Sequence, residues 1–301
     1  MAEFRCGFIA VIGRPNVGKS TLINALLGQK VAAVSPRPQT TRRRQLGILT
    51  TADAQLIFVD TPGIHEPRHK LGEFLNQEAL KSLTNVDAVI WLVDTSAEPT
   101  ADDGRIAALL EHVPSRIPLL LAANKIDLVA DSDYGGRLHQ YATLLRRTPE
   151  PIKISATRRD GLADLITLLI QICPVRPPEY DAGQITDLYE REIAGDLIRE
   201  AALLKLRDEV PHGIAVRVDE FKERANGVAY VAATIFVERQ SQKGIVIGEG
   251  GKMLKQIGTL ARQEIENMGG HKVFLELRVK VEKGWRNNES ILRRLGYKLK
   301  R

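Results

Sequence analysis

The run Gly13-Arg14-Pro15-Asn16-Val17-Gly18-Lys19-Ser20 constrains this chain more than any other stretch. It has the G-x-x-x-x-G-K-[ST] spacing of a phosphate-binding loop. An apolar run from Phe8 to Ile12 precedes it and reads as a buried strand. Thr21 to Leu27 reads as a helix, with Gly28 placed to end it. The chemistry needs this spacing. Gly13 and Gly18 let the backbone turn tightly and approach a phosphate without a Cβ in the way. Successive N–H groups then form an anion site at the positive end of the helix. Lys19 reaches the β- and γ-phosphates, and the Ser20 hydroxyl is placed to ligate Mg²⁺.

At 301 residues the chain is long enough for two domains. It has no run of apolar residues long enough to cross a membrane, and Met1 to Cys6 lacks the basic and apolar regions of a secretory signal. Two cysteines, Cys6 and Cys173, without a C-x-x-C pair, argue against a disulfide framework or zinc site and for a reducing cytosol. Both read as buried small apolar residues. The net charge of +6 is uneven: +1 up to Gly183 and +5 beyond it. An excess on the second part points to a nucleic-acid partner.

After the first helix, Pro36 to Arg44 reads as an exposed loop. Nucleotide switches carry a metal-ligating threonine at this position, and Thr40 and Thr41 both lie in the loop. Arg42, Arg43 and Arg44 are either a solvated basic patch or an RNA contact. Gln55 to Val59 is the next strand and ends in Asp60-Thr61-Pro62-Gly63. An aspartate there can hold Mg²⁺ through water, and the Gly63 N–H can meet a terminal phosphate. Ile64 stands where some GTPases place a water-orienting glutamine, so hydrolysis is expected to be slow; the neighbouring His65 reads as a surface residue. Val86 to Val93 is a third strand and Asp102 to Val113 a helix.

Pro118 to Ala123 is a fourth strand, delivering Asn124-Lys125-Ile126-Asp127. A carboxylate in this place accepts hydrogen bonds from the N1–H and N2 amine of guanine. Adenine would leave it unpaired, a penalty of roughly 10⁴-fold. Asn124 is expected to tie its loop to the phosphate loop, and the Lys125 stem to cover the base. Pro151 to Ile154 is a last strand, after which Ser155-Ala156 offers the Ala156 N–H to guanine O6. Leu162 to Cys173 closes the domain as a helix. The expected nucleotide contacts are therefore Gly13 to Thr21, Asp60 to Ile64, Asn124, Lys125, Asp127, Ser155 and Ala156. The carbonyl-bearing Asn16 is a candidate ligand for K⁺, which would supply charge in place of an arginine finger. Alternation of strand and helix predicts a doubly wound α/β sheet.

Residues 174–186 are proline-rich and read as a semi-rigid linker. A long helix over about 187–209 follows, then two alternating strands, 213–224 and 226–239, forming a hairpin around Ala225-Asn226-Gly227. Gly248-Glu249-Gly250-Gly251 joins two helices, and 272–283 is a final strand. This order is that of a KH domain of the second topological type, whose G-x-x-G loop clamps about four nucleotides. Ile247, Gly248, Glu249, Gly250, Gly251, Lys252 and Lys255 are the expected RNA contacts, with Val246, Ile247 and Ile257 as groove floor. The basic end, 282–301, adds Arg293 and Arg294. Trp285 there either stacks on a base or caps the core.

A phosphate loop reading G-R-P-N-V-G-K-S, with Q-T-T-R, D-T-P-G, N-K-I-D and S-A-T, a KH domain and a final V-K-x-G-W, resembles the Era family of bacterial ribosome-assembly GTPases. The resemblance spans the chain. It implies a GTPase domain over 1–173 and a KH domain over 187–301, the α/β sheet being followed by an α+β unit. It selects Thr41 over Thr40, giving Ser20, Thr41 and Asp60 to Mg²⁺ and Lys19, Thr41 and Gly63 to catalysis. It further implies a cytoplasmic protein, taken as a monomer, that exchanges GTP and GDP, binds the 3′ end of 16S rRNA in the 30S subunit and associates peripherally with the inner membrane. The acidic Glu249 departs from the basic residue that family members often carry in the KH loop. A membrane-surface regulatory GTPase, with the KH domain secondary, is the alternative, though no lipidation motif supports it. Asp127 opposes an ATPase.

Overall fold

The computed structural model describes residues 3–35, 37, 40–146, 149, 151–223 and 227–297. The chain divides into two compact units. One comprises 1–32, 41–67 and 75–187; the other comprises 33–40, 68–74 and 188–301.

In the first unit six strands form one sheet in the order β2-β3-β1-β4-β5-β6. They are β1 (Arg5–Ile12), β2 (Gln45–Thr50), β3 (Ala54–Asp60), β4 (Ala88–Asp94), β5 (Leu119–Asn124) and β6 (Pro151–Lys153). All neighbours are parallel except β2, which runs antiparallel to β3 at the edge. No pattern in the sequence announces β2, and its presence makes the sheet mixed. The chain leaves β1 to one side for β3 and later to the other for β4, which makes the carboxyl end of β1 a switch point open to a ligand. The register sets Val11 opposite Asp60 and Asp94 opposite Asn124, gathering the functional strand ends on one edge. Burial follows from strands covered on both faces: every residue of β3, β4 and β5 is buried.

Helices α1 (Lys19–Leu27), α2 (Lys70–Lys81), α3 (Ala101–Leu110), α4 (Asp131–Ala142) and α5 (Leu162–Ile172) follow in chain order. Thr100 and Asp103 form a capping box at the start of α3. Two of these helices go beyond the sequence expectation: α2, whose Leu71, Phe74 and Leu75 have helical spacing, and α4, whose paired glycines obscure any pattern. Cys6 and Cys173 are buried, and burial pushes the Cys173 thiol up to about 12. The expected spacer is instead fastened to this unit. Cys6 donates to the Pro174 carbonyl, the Gln55 side chain bonds the backbone at Glu179 and Tyr180, and Ile48 donates to Ile185. Prolines deny the segment helical structure, and these bonds satisfy its backbone.

The second unit begins its regular structure with α6 (Glu190–Lys205), shorter at both ends than the sequence suggests. Next come β7 (Ala215–Glu223), β8 (Val228–Val237), α7 (Gln240–Ile247), α8 (Lys252–Gly269), β9 (Lys272–Val281) and α9 (Glu289–Arg294). The sheet order is β7-β8-β9, antiparallel then parallel, with a bulge between Val218 and Glu220. The expected turn at Ala225 and Asn226 lies outside the described residues. Apolar residues of the three strands and of α6 and α8 share one core. Trp285 resolves to the core: it is fully buried, donates Nε1–H to the Gly213 carbonyl and stacks on Tyr297.

Candidate nucleotide site and nucleic-acid groove

Asn16 and Gly18 both have positive φ, 66° and 102°, so the amides of the loop turn toward one concavity at the start of α1. Asn16 is exposed at that mouth. Lys19 is buried beneath it, its Nζ donating to the carbonyls of Gly13 and Arg14 at 3.0 Å each. Burial lowers its pKa to about 8, although Asp60 pulls it up. Burial likewise raises Asp60 to about 6, against the pull of Lys19, Ser20, Gln45 and Thr41.

Three oxygens converge beside Lys19. Ser20 Oγ lies 2.8 Å from Thr41 Oγ1 and 3.0 Å from Asp60 Oδ2. Asp60 Oδ1 is buried with no hydrogen-bond partner. A buried carboxylate with one oxygen lacking a donor, its other oxygen beside two hydroxyls, suits a hard cation such as Mg²⁺. Thr40 is held elsewhere, bonded to Ser35 and the Arg37 carbonyl. Gln45 joins the cluster, its Nε2 donating to Asp60 Oδ2, a bond that no motif announces. Thr61 ties its loop to the Val11 carbonyl. A Cβ on Gly63 would stand 2.7 Å from the Pro15 nitrogen, so only glycine lets the two phosphate-facing loops close up. Ile64 is packed inward in the core and has no means of orienting water. His65 is half-buried, with its ring Nδ1 against the Gly63 carbonyl. Arg42 is buried, which leaves it neither a solvated patch nor a surface for RNA; Arg44 is exposed.

At the base-recognition end, Asn124 donates Nδ2–H to the Val17 carbonyl, tying β5 to the phosphate loop as expected. Its Oδ1, however, accepts the Ala156 N–H at 3.0 Å. The sequence assigns that amide to guanine O6; here it fixes the two base-facing loops to each other. Ser155 donates to Asp127 Oδ1 at 2.6 Å and so orients the carboxylate. Lys125 is anchored by Nζ to Asp94 Oδ2 at 2.6 Å. Burial works to raise the Asp94 carboxyl, but Lys125, Ser96 and Arg14 hold it below the usual range.

Arg14 is more than a loop filler. It meets Asp103 at 3.1 Å and Asp94 at 3.5 Å, both well buried, and so braces the phosphate loop against α3 and β4. Removing it leaves carboxylates short of a partner. Arg14→Ala is expected to lower stability by roughly 3 kcal/mol, and urea unfolding of the nucleotide-free protein measures this. A variant as stable as the wild type would show that solvent replaces the guanidinium.

In the second unit, α8 and the edge strand β9 flank a groove of about 520 Å³ lined by Gly251, Leu254, Lys255, Arg262, Phe274 and Leu277, among others. Lys255 also lines an adjoining hollow of about 430 Å³, together with Lys252, which is not among the groove's lining residues, and with Lys205, a residue that no sequence motif singles out. Val246 and Ile257, expected as groove floor, are fully buried in the core beneath it. Alternation marks an apolar side chain as inward but does not distinguish a groove from a core. Ile247 is partly buried against that core. Gly248 has φ 73°, and a Cβ there would lie 2.8 Å from the Met253 nitrogen, so a side chain strains the loop itself. Glu249 and Gly250 complete the turn. Arg293 and Arg294 are not among the groove residues: they pair with Glu289 and Glu282. Sequence charge alone hides that neutralisation.

Comparison with known proteins accords with the folds of both units. A family model described as 50S ribosome-binding GTPase matches residues 8–125, and a KH domain model matches 209–286. The GTPase Era of Lacticaseibacillus paracasei is 47% identical over 304 residues, covering 100% of this chain and 99% of that protein. That of Geotalea uraniireducens is 46% identical, covering 98% of each. A crystal structure of Era in complex with MgGDPNP and nucleotides 1506–1542 of 16S ribosomal RNA superposes with a TM-score of 0.90 at 36% identity, over 98% of this chain and 100% of that one. A structure of an Aquifex aeolicus Era variant bound to GDP·AlF4⁻ matches equally well. A P-loop GTPase unit followed by a KH unit, similar along its whole length to these proteins, places the chain in the GTPase Era family.

Proposed function

We propose that this GTPase, in its Mg²⁺-GTP state, takes the 3′ end region of 16S rRNA into its KH groove and so assists assembly of the 30S subunit. The observation that carries the reading is one chain holding both a guanine-nucleotide site, with Thr41 drawn to Ser20 and Asp60, and a basic groove beside a G-x-x-G loop. A relative has been solved with both ligand classes, MgGDPNP and a 16S fragment. Ser20, Thr41 and Asp60 would hold Mg²⁺, which spreads the charge of the β- and γ-phosphates when bound. Lys19 and the N–H of Gly63 face the terminal phosphate, and the ordered Thr41 reports its presence. Turnover is slow because Ile64 supplies no water-orienting group. The reading places the protein in the cytoplasm as a monomer; liposome flotation without RNA tests peripheral membrane association. Among the described residues no helix is long and apolar enough to cross a membrane.

Binding of RNA matching nucleotides 1506–1542 tests the reading, measured with GDPNP, GDP and no nucleotide. Tightest binding with GDPNP is expected; equal affinity in all three states would reduce the GTPase unit to a brace. In the same assay Lys252→Gln and Lys255→Gln should weaken binding and each flatten the log–log salt dependence by about 0.7–0.9 for every phosphate no longer neutralised. A slope unchanged in both would move the RNA backbone off this groove. Asn16, exposed in the phosphate loop, would coordinate K⁺ there. GTP turnover should then be several-fold faster in potassium than in sodium buffer, and equal rates would remove the cation.

A further inference from the structure

We propose that Gln45 is a positioning residue for the metal site: it anchors the Asp60 carboxylate by Oδ2, so that Oδ1 is kept for the cation. The two residues stand opposite each other in the antiparallel register of β2 and β3, and Gln45 Nε2 donates to Asp60 Oδ2 at 3.2 Å. Both are buried, Asp60 completely. The hydroxyls of Ser20, at 3.0 Å, and Thr41, at 3.4 Å, meet the same oxygen. Among the described residues Oδ1 has no donor. The carboxylate is thus held by one oxygen and open at the other.

The three donors to Oδ2 are not equivalent. Ser20 and Thr41 carry oxygens that the metal reading gives to Mg²⁺, so the ion sets how those hydroxyls point. An amide N–H has no lone pair to offer a cation, so Gln45 Nε2 serves the carboxylate alone. Gln45 also has the firmest backbone of the switch-side donors. Thr41 lies in the loop before β2, whereas Gln45 opens a strand held along both edges. The inner edge is the ladder with β3. On the outer edge Leu46 N–H donates to Asp187 Oδ1 at 2.7 Å, and Ile48 N–H to the Ile185 carbonyl at 2.8 Å. Gln45 therefore fixes the rotation of the Asp60 carboxylate whether or not Thr41 is in place. A metal site needs such a support behind its ligands, and one on a rigid strand holds it better than one on a loop.

This inference rests on the Mg²⁺ reading of Ser20, Thr41 and Asp60, and the test separates the two. Affinity of the full-length protein for fluorescent GDPNP is measured in EDTA and in saturating Mg²⁺. The wild type should bind more tightly with Mg²⁺; no gain would overturn the metal reading itself. Gln45→Met and Gln45→Leu both remove the N–H and keep a side chain of similar volume, the first unbranched and the second branched. Each should leave the affinity in EDTA at the wild-type value and cut the gain from Mg²⁺ by about ten- to one-hundred-fold. By linkage, the midpoint of a Mg²⁺ titration of the nucleotide-loaded protein should rise by the same factor. An unchanged gain overturns the proposal. So does equal weakening with and without Mg²⁺, which would mark damage to the phosphate loop. Unequal losses in the two variants also overturn it, because they would make the shape of the side chain, and not its hydrogen bond, the cause.

Discussion

Asp127→Asn is expected to convert the protein from a GTP-binding to a xanthosine-triphosphate-binding one, changing the ratio of the two affinities on the order of 10⁴-fold. The carboxylate is presented for this task. Ser155 donates to Oδ1, and Arg158 lies 4.0 Å from Oδ2 on the solvent side. An ionised carboxylate accepts from both the N1–H and the N2 amine of guanine. An amide accepts one and must donate with its other half, which suits the C2 carbonyl of xanthine. The Ser155 hydroxyl still finds an acceptor in the variant, so the loop keeps its shape and the change is one of hydrogen-bond polarity. Competition of GTP and xanthosine triphosphate for a fluorescent nucleotide measures it. Unchanged GTP preference would remove Asp127 from the base.

The parts of this molecule that are legible in the sequence are those whose chemistry is local. A phosphate loop must place glycines, a lysine and a hydroxyl within eight consecutive residues, and Gly13 to Ser20 do. Asn124 and Asp127 are likewise bound to one turn. What the sequence leaves open depends on residues distant in the chain. Pattern alone does not tell which of Thr40 and Thr41 turns to Asp60, and only the family resemblance selects Thr41; the structure brings Thr41 there and holds Thr40 at Ser35. The brace of Arg14, Asp94 and Asp103 spans three segments, and its acids read as ordinary surface charge until the fold buries them. Gln45 is illegible for the same reason, because it lies on a strand whose pattern gives no signal. In the second unit the element order is readable, but the sides of the groove are not. Val246 and Ile257 have the right character and are one layer too deep, whereas Phe274 is a groove residue because β9 is an edge strand.

Lys19→Ala should lower nucleotide affinity by roughly 30- to several-thousand-fold, the range expected when one partner of a buried charge pair is truncated. The same variant should not weaken the nucleotide-free fold. The opposite signs follow from how Lys19 is housed. Its ammonium is buried, held by two carbonyls, and its pKa is depressed to about 8. An amine whose pKa is lower folded than unfolded has released its proton in the native state while the unfolded chain still binds one. Stability of the wild type therefore rises as pH goes from about 8 toward 10.5, and below that window the charged lysine costs on the order of 3 kcal/mol. Binding of the β- and γ-phosphates is what offsets this cost, since it supplies the negative charge the buried ammonium lacks. Asp60, already raised to about 6, is expected to take up a proton more readily once Lys19 is gone, which spares the variant an unpaired buried charge. Thermal unfolding of both proteins without nucleotide from pH 7 to 10, beside nucleotide titration at pH 7, checks the whole argument. The variant should match or exceed the wild type at pH 7 and lose that advantage as pH rises. A variant that melts early yet binds GTP normally would show that Lys19 serves the fold and not the phosphates.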